Sequence, residues 1–321
     1  MITGVAGFIG SSLARRVLSE GGNVVGVDNL SQSNGSNVAD LVGPDFSMVQ
    51  ADVRDAESVA KAASACDVLV HLAAYKIPRY DDALETLSVN VEGSEVVFRA
   101  AADVGARLIT ASTSDVYGKL ASIPFVEDDD LVIGPPDVKR WAYAVSKMAD
   151  EHLMMAFRDR YDLDAVALRF FGGYGPGENL TWWGGPIPVF IEAILEGRPI
   201  EVHGDGCQTR SFTFIGDYVE SIWRLIARDS EPFPYSVINV GSTEEVSINE
   251  LASRVTSLMG AGEQATIDRV PYATFGKYED VMRRVPDVTR LREAIDYVPS
   301  TTLDDGLRST IDWHRQLRVQ Q

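Results

Sequence analysis

Tyr143 and Lys147 stand four residues apart in YAVSK, so on a helix an ammonium faces the same side as a phenol. Such a charge is expected to favour the phenolate and bring the tyrosine down from about 10 toward a working pH, where it can serve as a general base. A bare YxxxK is also a common surface pairing, and the opening of the chain is what gives this one weight. Gly4, Gly7 and Gly10 in MITGVAGFIG follow an apolar start and precede LARRVLSE, whose Leu13, Val17 and Leu18 recur at helical spacing. The pattern predicts a strand, a tight turn and a helix, with glycine where φ must be positive and where a side chain would bar a pyrophosphate from the helix N-terminus. About twenty residues on, NVVGVD ends at Asp28, placed to accept hydrogen bonds from ribose hydroxyls. An acid there repels a 2′-phosphate, and Asn29, Leu30 and Ser31 bring no arginine to attract one, which favours NAD over NADP. Thr113, in ASTSDVYG after a predicted strand, either shares a substrate proton with Tyr143 or caps the next turn.

The elements needed to hold these groups can be read in outline. Strand-like runs at 23–27, 46–50, 67–72, 107–112 and 165–170 alternate with helix-like stretches at 55–65, 83–103 and 141–161. That rhythm predicts an α/β fold, a Rossmann-type doubly wound parallel sheet with a smaller C-terminal substrate-binding lobe. The NAD-binding domain is expected over 1–171, with a returning strand near 236–241, and the substrate lobe over 172–235 and 242–321. Only Met1–Thr3 precede the glycine turn, against the usual strand length of about five or six residues, so either leading residues are absent or the sheet begins short. The Gly- and Pro-rich stretch at 172–188 predicts a long loop whose Trp182 and Trp183 either close over a ligand or anchor the lobes.

Composition narrows the partners. At 321 residues and 45% hydrophobic content the chain can bury one large core or two modest ones. A net charge of −18 argues against a nucleic-acid or anionic-membrane surface, and an anionic substrate then requires a local basic pocket. Cys66 and Cys207 are too few for a disulfide framework, no leader pattern is visible, and the four histidines are scattered. A cytoplasmic protein with no metal is expected.

These segments resemble the extended short-chain dehydrogenase/reductase family, and within it the nucleotide-sugar epimerases, dehydratases and decarboxylases, across essentially the whole chain. The resemblance rests on GVAGFIG, HLAA at 71–74, VNVEG at 89–93, STSDVYG, YAVSK, RFFGGYGPG, QTRSFTFIGD and the tail YEDVMRRVPD. It implies an NAD site lined by Gly4, Gly7, Phe8, Ile9, Gly10, Asp28, Asn29, Asp52, Val53, Leu72, Ala73, Ala74, Asn90, Tyr143 and Lys147. Arg210 and Tyr278 would hold the nucleotide diphosphate. The family's shared first step has Tyr143 take the sugar 4-hydroxyl proton as C4 is oxidised by NAD.

Within the family, STSDVYG and YEDVMRRVPD are most similar to UDP-glucuronate decarboxylases, which release UDP-xylose or its 4-keto precursor. Thr113, Ser114, Asp115 and Arg284 would then join Tyr143 and Lys147 in the chemistry, with Arg284 at the sugar carboxylate. Asp115 replaces the Glu of those enzymes, and Gly172 replaces an Asn that contacts phosphate, a task Asn179 could take. Lys76 falls where UDP-galactose 4-epimerases carry a lysine, so Lys76 and Arg79 are either partners of an acidic sugar or solvated charges. The alternatives are a UDP-hexose or UDP-uronate 4-epimerase and, in another class, a non-catalytic NAD-binding scaffold or sensor. A 4,6-dehydratase is disfavoured because Ser114 occupies the place of its acid. The resemblance also implies a homodimer built from the 83–103 and 141–161 helices.

Overall fold

The computed structural model describes residues 1–76, 82–178, 185–228, 231–262, 265–277 and 279–320. The first half alternates β1 (Ile2–Thr3), α1 (Phe8–Ser19), β2 (Val24–Asp28), β3 (Phe46–Gln50), α2 (Ala56–Ala63), β4 (Val68–His71), α3 (Ala83–Leu87), α4 (Gly93–Val104), β5 (Arg107–Thr113), α5 (Trp141–Tyr161) and β6 (Ala165–Phe170). Then follow β7 (Gly173–Tyr174), α6 (Pro186–Leu195), β8 (Ile200–His203), β9 (Thr209–Ser211), β10 (Thr213–Phe214) and α7 (Ile215–Ile226). The remainder comprises β11 (Val237–Val240), β12 (Glu245–Ser247), α8 (Ile248–Met259), β13 (Ile267–Val270), β14 (Arg283–Arg284), α9 (Thr289–Ile295) and α10 (Leu303–Gln320).

Seven strands form one parallel sheet in the order β11-β6-β5-β4-β1-β2-β3, as the alternating pattern predicted. Its central strands are apolar on both faces, β6 being AVALRF with five of six residues buried, because helices cover both sides. One layer buries Leu13, Ile109, Leu168, Ile222 and Leu291 between the sheet and α1, α7 and α9. The other buries Val59, Leu69, Phe98, Leu108 and Met154 beneath α2, α4 and α5. Thus α7 and α9, from stretches assigned by sequence to the second lobe, cover the sheet. A separate core of Ile187, Phe190, Ile191, Val202, Leu251 and Leu307 joins α6, α8 and α10. Strand order reverses between β1 and β4, which opens a crevice at their carboxyl ends.

β1 is two residues long, pairing Ile2 with Gly26 and Val70. The predicted 83–103 helix is interrupted, since Ser88–Glu92 winds as a π-helix. There Asn90 is fully buried, its Oδ1 accepting from Tyr75 N at 2.7 Å and its Nδ2 donating to Ser146 Oγ at 2.8 Å. Widening the helix by one residue lets that amide reach two other elements, a common use of π-bulges near functional sites.

Two of the buried histidines, His71 and His314, have their neutral forms favoured. His71 lies between Thr3 Oγ1 (2.7 Å from Nδ1) and Ser94 Oγ (3.2 Å from Nε2), and burial, with help from the Lys147 charge, pulls it down to about 3. Burial likewise brings His314, whose Nε2 has no partner, down to about 4. The unfolded chain binds these protons near pH 6.5 and the native protein does not, so their contribution is complete above that pH and declines as acid is added. Each group should contribute a slope of ~1.4 kcal/mol per pH unit between its unfolded and native values. Urea titrations from pH 7 to pH 4.5 are expected to show falling stability, and H71Q a slope shallower by about one proton.

Candidate functional site

A cavity of about 550 Å³ runs from the start of α1 to the second lobe. Gly4, Gly7, Phe8, Ile9, Gly10, Leu72 and Ala74 wall one end, with Gln32 at the rim. Gly4 has φ of +68°, and a Cβ on Gly10 would sit 2.2 Å from Gly4 O, so the turn closes against itself only with glycine. Gly7 caps α1 with no side-chain hydrogen bond, leaving the first-turn N–H groups for a ligand. Asp28 is fixed by the turn it serves, Oδ2 accepting from Ala6 N at 3.0 Å and Oδ1 from Leu30 N at 2.8 Å. The cradle fits a dinucleotide diphosphate.

Four other residues expected at this cofactor have protein partners of their own. Asp52 takes Arg54 Nε and Nη2 at 2.9 Å and Asn29 Nδ2 at 3.2 Å, and the Arg54 hydrogen bonds bring its carboxyl down to about 2. Val53 is buried against Gly93, whose hypothetical Cβ would lie 2.6 Å from a Val53 methyl. Ala73 N donates to Thr3 Oγ1 at 3.2 Å. Asp28, Asn29, Asp52, Val53, Ala73 and Asn90 do not wall the cavity.

Tyr143, Lys147, Thr113, Ser114 and Asp115 meet midway along the cavity. Thr113 Oγ1 accepts from Asp115 N at 3.2 Å, so it caps the turn after β5 while lining the cavity beside Tyr143. The expectation that Lys147 lowers the Tyr143 phenol is corrected. Lys147 Nζ donates to Asp150 Oδ2 at 3.0 Å, and the two side chains are 1% and 2% exposed. Burial raises Tyr143, and the Asp115 and Asp150 carboxylates raise it further. A paired ammonium offers the phenolate little net charge.

Beyond Tyr143 lies the basic pocket that so acidic a chain needs for an anionic ligand. Asp115 Oδ1 accepts from Arg284 Nη1 and, at 3.1 Å, from Arg140 Nη2. Asp280 Oδ1 accepts from Arg210 at 2.8 Å and Arg140 at 3.3 Å, and Oδ2 from the Tyr272 hydroxyl at 2.7 Å. Burial opposes ionisation of Asp115, yet Arg284, Arg140, Lys76 and Arg210 bring it down to about 2. Arg284 Nε is buried without a partner. Arg283, its neighbour, pairs with Glu245 on the surface at 2.8 Å.

Sequence reasoning missed Arg140, Glu178 and Asp280 on these walls. Arg140 carried a signal, because a cation just before a helix opposes the helix dipole. Glu178 is 4% exposed with Oε2 unpartnered, and burial drives its carboxyl well above the usual range, against the pull of Lys76. Arg79, Asn179, Trp182, Trp183 and Tyr278 lie outside the described residues. Gly172 explains its own departure from the expected Asn: its φ is +57° and a Cβ would sit 2.1 Å from Ser211 O.

The chain is similar to known proteins over nearly its whole length. A family model described as "NAD dependent epimerase/dehydratase family" matches residues 1–241. The chain is 35% identical to a UDP-N-acetyl-alpha-D-glucosaminuronate decarboxylase of Bacillus cytotoxicus, covering 99% of this chain and 98% of that protein. It is 32% identical to a UDP-glucose 4-epimerase of Mycolicibacterium smegmatis, over 98% of each. Its fold superposes with a TM-score of 0.88 on a UDP-glucuronic acid 4-epimerase from Bacillus cereus solved with UDP-glucuronic acid and NAD, at 26% identity and 98% coverage of both chains.

The Gly172 crossing holds β9, and so Arg210, against the cavity. G172A should cost about 1–3 kcal/mol in urea denaturation. G105A, also at positive φ but with nothing within 4 Å of the added methyl, is expected to lose less.

Proposed function

The chain belongs to the NAD dependent epimerase/dehydratase family, and on that premise we propose that it is an NAD-binding enzyme that decarboxylates a UDP-linked uronic acid by transient oxidation at C4. The observation that carries the uronic acid is Arg284, a partly buried guanidinium on the wall that also holds Tyr143 and Thr113. UDP-glucuronate is the substrate proposed, with UDP-xylose or its 4-keto precursor as product. Its 2-acetamido counterpart belongs in the same test, because the Bacillus cytotoxicus relative is named for that sugar.

In this reading the glycine turn and Asp28 hold NAD, which when bound supplies reversible oxidation at sugar C4. Tyr143, in its phenolate form, accepts the C4 hydroxyl proton, and Thr113 donates to the same oxygen. The C4 ketone lies β to the C6 carboxylate. The C5–C6 bond then breaks, carbon dioxide leaves, and the electron pair moves onto O4 as an enolate that the Thr113 and Tyr143 hydroxyls stabilise. A proton returned to C5 completes the step. Arg284 holds the carboxylate beforehand, while the Asp115 anion beside it disfavours the charged ground state. Arg140 and Arg210, buttressed by Asp280, face the diphosphate.

A UDP-uronate 4-epimerase is the second reading, favoured by Lys76 on the cavity wall and by the Bacillus cereus fold match. It shares the first step and leaves C5–C6 intact. We also propose a homodimer through α3 and α5, whose Leu84, Val145 and Met155 are exposed to 75%, 42% and 37%.

Proton NMR of the protein with NAD and each uronate is expected to show two new C5 protons. Conversion to the C4 epimer would instead select the second reading. R284A should slow carbon dioxide release by at least ~10²-fold while reduced cofactor still forms, and equal loss of both steps would remove Arg284 from its role. Light scattering should give twice the chain mass, and L84E combined with V145R should give a monomer.

A further inference from the structure

The buried ion pair between Lys147 and Asp150 has no place in the chemistry above. Tyr143, Lys147 and Asp150 are spaced by four and three on α5, so all three share one helix face. A buried charge pair costs desolvation that a surface lysine would not incur, and packing alone would be served by apolar side chains. Burial raises the Asp150 carboxyl, and the Lys147 ammonium, followed by the Ser94 hydroxyl of α4, opposes that rise. Its Oδ1 has no hydrogen-bond partner, so its one hydrogen bond is that from Lys147 to Oδ2. The Ser94 hydroxyl also meets His71 of β4, which reaches Thr3 of β1.

The other charged groups near this face are committed elsewhere. Glu151 accepts from Arg169 of β6 at 2.7 Å and from Ser112 of β5 at 2.5 Å. Asp115, after β5, belongs to the arginine cluster. His71 stays neutral in its buried site. Of the carboxylates, Asp150 is the one that bonds the ammonium next to Tyr143.

We propose that Asp150 is a positioning residue for proton transfer at Tyr143: it neutralises and orients Lys147, and so sets the pH above which the phenol acts as a base. Burial and the Asp115 carboxylate raise the phenol, and the Asp150 charge adds to that rise. The direction follows from Coulomb's law, since removing an anion beside a phenol makes phenolate formation easier.

This inference rests on Tyr143 being the base, and the experiment separates the two. Y143F is measured first: if it turns over like the wild type, the base assignment fails whatever Asp150 does. With Y143F inactive, the pH profile of kcat/KM is recorded for the wild type, D150N and D150E. The acid limb of D150N should move to lower pH by about one unit, and D150E, which keeps the charge, should restore it. A second readout is the ring-carbon NMR titration of tyrosine-labelled, cofactor-free protein, with the Tyr143 signal assigned by its loss in Y143F. That signal should titrate lower in D150N by a similar amount. A folded D150N with both the limb and the titration unmoved overturns the proposal. Should D150N not fold, S94A, which removes the hydroxyl supporting the carboxylate, must lower the Tyr143 titration by a few tenths of a unit, and no movement there overturns it equally.

Discussion

Two carboxylates, Asp115 partly buried and Asp280 almost wholly so, hold three guanidiniums across the cleft, and much of the site's geometry depends on that arrangement. Asp115 follows β5, Arg140 precedes α5, Arg284 lies on β14, and Asp280 ties Arg140 to Arg210 of β9. Removing one partner from such a cluster would leave a buried charge uncompensated, a far larger penalty than loss of a surface pair. The cluster therefore links the sheet to the second lobe while keeping an excess of positive charge facing the cavity. That excess reconciles a chain of net charge −18 with an anionic ligand.

The other end of the cleft depends on backbone closeness rather than charge. Gly4 and Gly172 each stand where a side chain would overlap an amide or carbonyl of another segment, and Gly10 where it would overlap Gly4 O of its own turn. Asn37 adds a tie by donating toward Gly177 O at 3.3 Å, so the chain after β7 is held over the glycine turn. One cavity thus carries a phosphate cradle at the helix terminus, a phenol and threonine in the middle, and guanidiniums beyond, each on a different element. Rigid elements bring them together, since most of these side chains sit at strand ends or on α5.

Much of this was legible in the sequence because it is local. Periodicity gave the parallel sheet, including α5 at 141–161 and β6 at 165–170 with the bounds observed. The glycine turn and the spacing of Tyr143 from Lys147 carry their geometry within a few residues. The short β1 was also visible as a strand with too few residues before Gly4. What the spacing could not show was a third party. Asp150 is in plain view three residues after Lys147, yet that the two form a buried pair depends on the packing of α5 against other elements. The π-helical turn at Asn90 has the same origin, since Tyr75 and Ser146 draw the amide from two sides.

The sequence by itself determined the fold class, the turn that receives a diphosphate, and the helix face bearing a phenol and an ammonium, because each follows from contacts between near neighbours. Tertiary structure alone decided the charge state of those groups and the company of Arg284, Arg140 and Asp280. Burial and long-range pairing set ionisation, and the partners are separated by up to 169 residues, a distance at which residue spacing carries no geometry.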